Sequence, residues 1–301
     1  MDARLKGMAA KERRERKKKR LMKAGADIEF SLHVCTFACM LSDQPGLFAM
    51  STPAFYDSLT PYYHLIYPDW EASMGRQGRA LDSIIRSEGG PHLRTVLDAA
   101  SGIGTQSLAL AALGYDVTAS DISPTAIERA QREAQQRGLS LHASVADMRH
   151  VHDHHHRTFD VVISCDNSVP HLLSDADILA ALRQFYACTN QDGICLVSAR
   201  DYATMDLMGP PQFQPYGVRE AAGSRYVLFQ VWESSPPHYD TTFYVIEHPA
   251  DAEPILRANR ATYYAVSLSR LAELMEEAGF TDVRRIDDVF FQPVLVGHKL
   301  S

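Results

Sequence analysis

"RTVLDAASGIGTQSLALAALGYDVTASDISPTAIERA" spans residues 94–130 and sets the frame for the rest of the chain. It holds two short apolar runs, "RTVLDAA" (94–100) and "YDVTAS" (115–120), each followed by a segment of helical period. Strands are therefore expected at both runs. Helices are expected over 103–113 and 124–138, the second opened by Ser123-Pro124, because proline suits the first helical turn. Strand, helix, strand, helix at this spacing implies parallel strands joined by crossover helices.

Working outward, the same alternation continues. Residues 69–87 carry an amphipathic period closed by Gly89-Gly90-Pro91. "LHASVA" (141–146) and "FDVVISC" (159–165) supply strands three and four, 175–188 a helix, and "GICLVSAR" (193–200) strand five. A helix at 267–278, a strand near 282–288 and "PVLVGHK" (293–299) close the pattern. The fold class expected is α/β: a doubly wound, Rossmann-like sheet of seven strands, with ligands at the carboxyl ends of the strands. Between 202 and 262 the alternation stops. "RYVLFQVWES" (225–234) and "TTFYVIEH" (241–248) there predict an antiparallel hairpin inserted after strand five as a cap.

A chain of 301 residues, 46% hydrophobic, is long enough to bury one full α/β core. No apolar run reaches the roughly 18 residues that a membrane helix requires. Cys35, Cys39, Cys165, Cys188 and Cys195 lack metal-ligand spacing and read as reduced, small hydrophobes of a cytoplasmic protein. The net charge of −7 is unevenly spread: residues 1–50 hold 11 Lys and Arg against 6 Asp and Glu, so the remainder carries −12. Most of the positive excess lies in "KERRERKKKRLMK" (11–23), which repels itself and reads as a disordered tail over 1–50, ahead of a domain over 51–301. The domain pattern begins only after Met50, so a chain starting there is expected to keep its turnover rate. A folded but inactive truncation would instead make the tail a functional element.

The chemistry begins at "VLDAASGIGTQS" (96–107), which places Asp98, Gly102 and Gly104 in a strand-to-helix turn where the missing Cβ atoms let a ligand approach the backbone. Ser107 stands where a nicotinamide or flavin fingerprint has its third glycine. Asp121 ends strand two, 17 residues after Gly104, where its carboxylate can accept from two ribose hydroxyls. Asp147 ends strand three and can accept from an adenine amino group beside Met148. "VVISCDNSVPHLL" (161–173) then breaks from a β-branched run into Asp166, Asn167, Ser168 and His171. "HVHDHHHR" (150–157) reads as a polar loop, so no metal is expected.

On these residues the chain resembles the class I S-adenosylmethionine-dependent methyltransferases over 54–300. Within them it is most similar to the glycine and sarcosine N-methyltransferases. Their G-N-S-F-x-H-L appears as "DNSVPHL" (166–172), their R-N-Y as "RDY" (200–202), their R-x-x-Y-Y as "RATYY" (260–264), and their approach segment as "FYDSLTPYYHLIYPDWEASMGRQ" (55–77). The resemblance implies S-adenosyl-L-methionine as cofactor, held by Asp98, Ala100, Gly102, Gly104, Asp121, Ile122, Asp147, Met148 and Cys165, with Tyr56 and Tyr63 closing over it. Arg76 is the arginine nearest the one that family members place by the cofactor carboxylate. Asn167 and Arg200 inherit the grip on the acceptor carboxylate, with His171, Tyr202 and Tyr264 completing the acceptor pocket. The departures are Asp166 for a glycine, Val169 for a phenylalanine and Pro170 for a small residue. Asp166 either pairs with a substrate ammonium or takes its proton, or caps the following turn.

The activity expected is methyl transfer to glycine, sarcosine or a related carboxylate-bearing amine. The alternatives are a natural-product methyltransferase with a larger acceptor and a nucleic-acid-associated enzyme using the basic tail. "DNSVP" lacks the adjacent prolines and stacking aromatic of the D-P-P-aromatic loop of nucleic-acid amino-methyltransferases. With −12 on the body, backbone attraction would rest wholly on the tail, so a nucleic-acid partner is not expected. A small-molecule acceptor is, while homo-oligomer formation is left open.

Overall fold

A computed structural model describes residues 51–300, so the basic segment 1–50, with Cys35 and Cys39, lies outside the described residues. The described elements, in chain order, begin with α1 (Thr52–Leu59), α2 (Trp70–Glu88), β1 (Thr95–Asp98), α3 (Thr105–Ala112), β2 (Asp116–Asp121) and α4 (Pro124–Arg137). Next come β3 (His142–Val145), α5 (Val151–His155), β4 (Phe159–Ser164), α6 (Asp175–Cys188) and β5 (Thr189–Ser198). Four long strands follow: β6 (Gln212–Ala221), β7 (Ser224–Ser235), β8 (His238–Pro249) and β9 (Ile255–Tyr264). The described chain closes with α7 (Leu268–Glu277), β10 (Thr281–Ile286) and β11 (Val294–Lys299).

Seven strands form one sheet in the order β10-β11-β5-β4-β1-β2-β3. β11 pairs antiparallel with both β5 and β10, so it alone runs against the others. Val96 on β1 faces Val117 on β2 and Val161 on β4, which fixes both neighbours in parallel register. The winding reverses between β1 and β4, and this is where an open α/β sheet leaves a crevice at its carboxyl edge.

Both faces of the sheet are covered, which is why β4 reads as a nearly continuous apolar run. Val162 packs on one side with Phe185 of α6 and Leu271 of α7. Val161 and Ile163 pack on the other with Ile85 of α2 and Leu110 of α3. Side-chain caps fix where the helices begin: Asp69 accepts from the Ala72 amide at 2.9 Å, and Ser123 from the Ala126 amide at 3.1 Å.

The inserted region is a four-stranded antiparallel sheet in the order β6-β7-β8-β9, larger than the hairpin expected. β7 and β8 are the two runs visible as strands in the sequence. β6 is broken by a register shift between Pro215 and Gly217, and β9 carries Arg257 and Arg260 among its apolar residues, so neither shows a clean alternation. The inner face of this cap packs Leu228, Trp232, Tyr239 and Phe243 against Phe55 and Leu59 of α1. The His-rich segment is also more ordered than a loop. It forms a turn of 3-10 helix followed by α5, anchored by the fully buried Val151.

Candidate active site

After β1 the two glycines have different work. Gly102 has φ +52°, and a Cβ there would meet nothing within 4 Å, so its backbone is open toward the crevice. Gly104 has φ +92°, and its Cβ would press on Leu108 and the Ala130 Cβ at 3.1 and 3.3 Å. It is needed for α3 to pack beside α4 rather than for ligand approach. Asp98 lies beneath this turn: its Oδ2 accepts from Ser107 Oγ at 2.6 Å and its Oδ1 from the Ala100 amide at 3.4 Å. It therefore braces the turn.

Burial pushes the Asp98 carboxyl up to about 7. The folded state thus holds a proton that the unfolded chain, with a carboxyl near 4, releases. Stability from this group is present at low pH and lost as pH rises through about 4 to 7. Asp98→Asn keeps an acceptor for Ser107, and its melting temperature relative to the parent is expected to climb across that window. A difference constant with pH would contradict the assignment.

The crevice holds a cavity of about 250 Å³ whose wall includes Ala100, Gly102, Asp121, Ile122, Met148 and Cys165. Asp121 Oδ2 accepts from the Gly102 amide at 2.8 Å and Oδ1 from the Ser123 amide at 2.9 Å. Each oxygen keeps a second lone pair for a hydroxyl donor. Asp147 is also on the wall, but the Arg149 guanidinium grips it, with the shortest contact 2.7 Å. Although burial favours its protonation, that pairing holds the Asp147 carboxyl below the usual range. Arg149, which the sequence reading did not single out, lines the cavity and reaches on to Asp177 at 3.1 Å.

Tyr56 from α1 and Tyr63 from the following 3-10 turn close one side of the cavity, together with Tyr67, which the sequence reading also missed. α1 is fastened by Asp57, whose Oδ1 accepts from Ser123 Oγ at 2.6 Å and Thr125 Oγ1 at 2.9 Å. Arg76 is a correction. It lies on the exposed side of α2 and donates to Ser73 Oγ at 3.2 Å, because one residue along a helix turns the side chain by about 100°. Its neighbour Gln77 points inward and accepts from Gln106, a residue of the cavity wall, at 2.7 Å.

At the ends of β4 and β5 a second cluster forms. Asp166 and Asn167 follow each other at φ +58° and +65°, turning the chain sharply. Asn167 is buried; its Oδ1 accepts from the Arg200 amide at 3.0 Å and from Tyr202 Oη at 2.9 Å, while its Nδ2 has no partner among the described residues. The Arg200 guanidinium donates to Tyr239 Oη at 2.9 Å and lies 5.0 Å from the Trp232 ring and 5.7 Å from the Tyr263 ring. No described carboxylate pairs with it, and the adjacent Asp201 is taken by Arg285 at 2.8 Å.

Asp166 and His171 line the cavity, whereas Asn167, Arg200 and Tyr202 sit in this neighbouring cluster. Tyr263 joins the two, its ring 4.1 Å from that of His171. Tyr264 is a second correction. Alternation along β9 turns it away to bond Asp175 Oδ1 at 2.9 Å, while Tyr263 faces His171 and Arg200. His171 Nε2 meets Tyr56 Oη at 2.7 Å, and burial, then the Arg200 charge, pushes its pKa down to about 3. The imidazole is neutral at physiological pH.

An adenosyl sulfonium cofactor suits this cavity. The Gly102 cradle is open, Asp121 offers free lone pairs, and Ser101 Oγ is buried on the wall without a partner among the described residues. Among the described residues no group of three or more His, Cys, Asp or Glu side chains is placed to hold a metal.

Residues 96–193 match the family described as the methyltransferase domain. A glycine/sarcosine N-methyltransferase from Parasynechococcus marenigrum is 30% identical over 220 residues, which is 73% of each chain. Among solved structures, the sugar N-methyltransferase KedS8 from a Streptoalloteichus species superposes with a TM-score of 0.67 at 17% identity, covering 86% of this chain and 98% of that one. The amino pentose methyltransferase CalS10 from Micromonospora echinaspora, with S-adenosylmethionine bound, gives 0.66 at 14% identity over 80% and 96% of the two chains. These two likenesses show the fold. Sheet order, glycine turn and acidic strand ends together define an S-adenosylmethionine-dependent methyltransferase of class I. Within that class the chain belongs to the family of the glycine/sarcosine N-methyltransferases.

Proposed function

We propose that the protein methylates the nitrogen of a small amine that carries a carboxylate, with glycine and sarcosine the first candidates. The observation that carries this reading is a pair of unmatched donors. Among the described residues the Arg200 guanidinium has no carboxylate partner and the buried Asn167 Nδ2 has no hydrogen-bond partner. A buried donor left unmade costs about 1–3 kcal/mol, so a ligand acceptor is the natural complement. A planar guanidinium flanked by Trp232 and Tyr263 suits a carboxylate.

S-adenosylmethionine supplies an already activated methyl group. The chain's own contribution is alignment and exclusion of water. Asn167 and Arg200 fix the acceptor, Tyr56 and Tyr63 cover the cavity, and neutral His171 holds Tyr56 in place.

The reading also takes the acceptor to be a small molecule rather than nucleic acid, consistent with the acidic body. No described helix is long and apolar enough to cross a membrane. Cys165, Cys188 and Cys195 are free and buried, which fits the cytoplasm expected from the sequence. The test is a transfer screen with methyl-labelled cofactor over glycine, sarcosine, other amino acids, an aminosugar, a phenol, a thiol and RNA. Label in a carboxylate-bearing amine is the expected result. Label only in another class would overturn the reading.

A further inference from the structure

Asp166 lies on the cavity wall just after β4, and the structure gives it no structural partner of matching strength. Its Oδ2 accepts from Tyr63 Oη at 3.2 Å and Tyr67 Oη at 3.4 Å, and its Oδ1 from Gln292 Nε2 at 3.4 Å. All three contacts are long and come from neutral groups. No described Lys, Arg or His pairs with it; Arg200, whose charge reaches it, donates to Tyr239 instead. Burial raises the Asp166 carboxyl above its ordinary range.

The backbone adds a second observation. At φ +58° a side chain carries a cost that is modest for aspartate, and the following Asn167 is left-handed as well. Glycine would relieve the first cost and remove a poorly compensated carboxylate at once. A side chain kept against both costs, on the wall of the ligand cavity, points to a role with the ligand.

We propose that Asp166 receives the ammonium of the acceptor and takes its proton, so that the site can bind amines in the cationic form they hold near neutral pH. This rests on the amine-acceptor reading above and adds to it a proton acceptor at the cavity wall. An amine in that form has no lone pair to donate. In the step proposed, one N–H bond breaks and an O–H bond forms at Asp166. The electron pair stays on nitrogen and makes the new N–C bond as the C–S bond of the donor breaks and the sulfonium becomes a neutral thioether. The proton passes from Asp166 to solvent when the products leave.

The groups facing Asp166 do not compete in this. Tyr56 of α1, Tyr63, Tyr67, Tyr216 of β6 and Cys165 all have their pKa values pushed up by burial, so they stay neutral. His171 is neutral and Arg200 is a fixed cation.

The experiment compares the parent with Asp166→Asn and Asp166→Gly on glycine, sarcosine and an aminosugar, recording kcat/KM from pH 6 to 10 with cofactor affinity and melting temperature. The parent is expected to hold a plateau below the pKa of the amine. Both variants should fall about tenfold per pH unit there and approach the parent near pH 10, where free amine is abundant. Asp166→Gly should at the same time melt higher than the parent. Variants that share the parent's pH profile would overturn the proposal, as would a loss confined to cofactor affinity. Turnover of the aminosugar but of neither amino acid would sink only the carboxylate reading and leave the Asp166 comparison to be made on the aminosugar. Turnover of no amine at all would sink both.

Discussion

Asp121→Ala is expected to weaken S-adenosylmethionine and its demethylated product about 10- to 100-fold. Loss of two charge-assisted hydroxyl bonds accounts for roughly 1.5–3 kcal/mol. The structure adds a second cost, because the same carboxylate accepts from the Gly102 and Ser123 amides. Without it the glycine turn keeps only the Ser101 amide bond to the Ser120 carbonyl as its backbone tie to β2, and the mutation should also lower stability by about 2 kcal/mol. Asp121→Asn separates the two: it can still accept from one amide, so it should recover much of the stability and less of the affinity. Calorimetry and thermal melting on both variants make the check. Unchanged affinity in Asp121→Ala would remove this residue from the cofactor site.

Arg200→Lys is expected to lower kcat/KM by about 10- to 100-fold while leaving cofactor affinity nearly unchanged, a cost of roughly 1–3 kcal/mol in transition-state stabilisation. Lysine keeps the charge but loses the planar fork and its stacking between Trp232 and Tyr263. A purely structural arginine would show itself as a fall in melting temperature with normal turnover. The geometry speaks against that outcome, since Asp201 is already paired with Arg285 and the cap offers Arg200 a tyrosine hydroxyl rather than a carboxylate. Normal turnover on the identified acceptor would defeat the carboxylate clamp.

Much of this architecture is legible in the sequence because the parallel strands are short, β-branched and separated by helices of clear period. The glycine turn, Asp121 and the Asp166-Asn167 turn all fall at strand ends, where their positions along the chain alone place them at the crevice. What escaped was the phase of the period. Arg76 and Gln77 differ by one step of a helix, and Tyr263 and Tyr264 by one step of a strand; only the packed partner decides which faces inward. Tyr239 and Arg149 escaped for another reason. Tyr239 reaches Arg200 across 39 residues of sequence, and Arg149 reaches Asp177 across 28, and no local pattern announces such a meeting. β6 and β9 flank the cap sheet as edge strands, where proline, glycine and charge are tolerated and the alternation that betrays a central strand is blurred.

The reversed strand β11 bears on how the molecule comes into being on the ribosome. It follows every other strand in chain order, yet it fills the slot between β5 and β10. Until residues 294–299 have emerged, β5 presents a bare edge of unpaired amides and carbonyls and β10 has nothing to join. Gly297 within it lies so close to Phe280 and Met275 that a Cβ would come within 3.0 Å of both, so the slot admits little else. Sheet completion therefore waits on the last described strand, and a chain halted before β11 carries an unpaired β5 edge open to other strands.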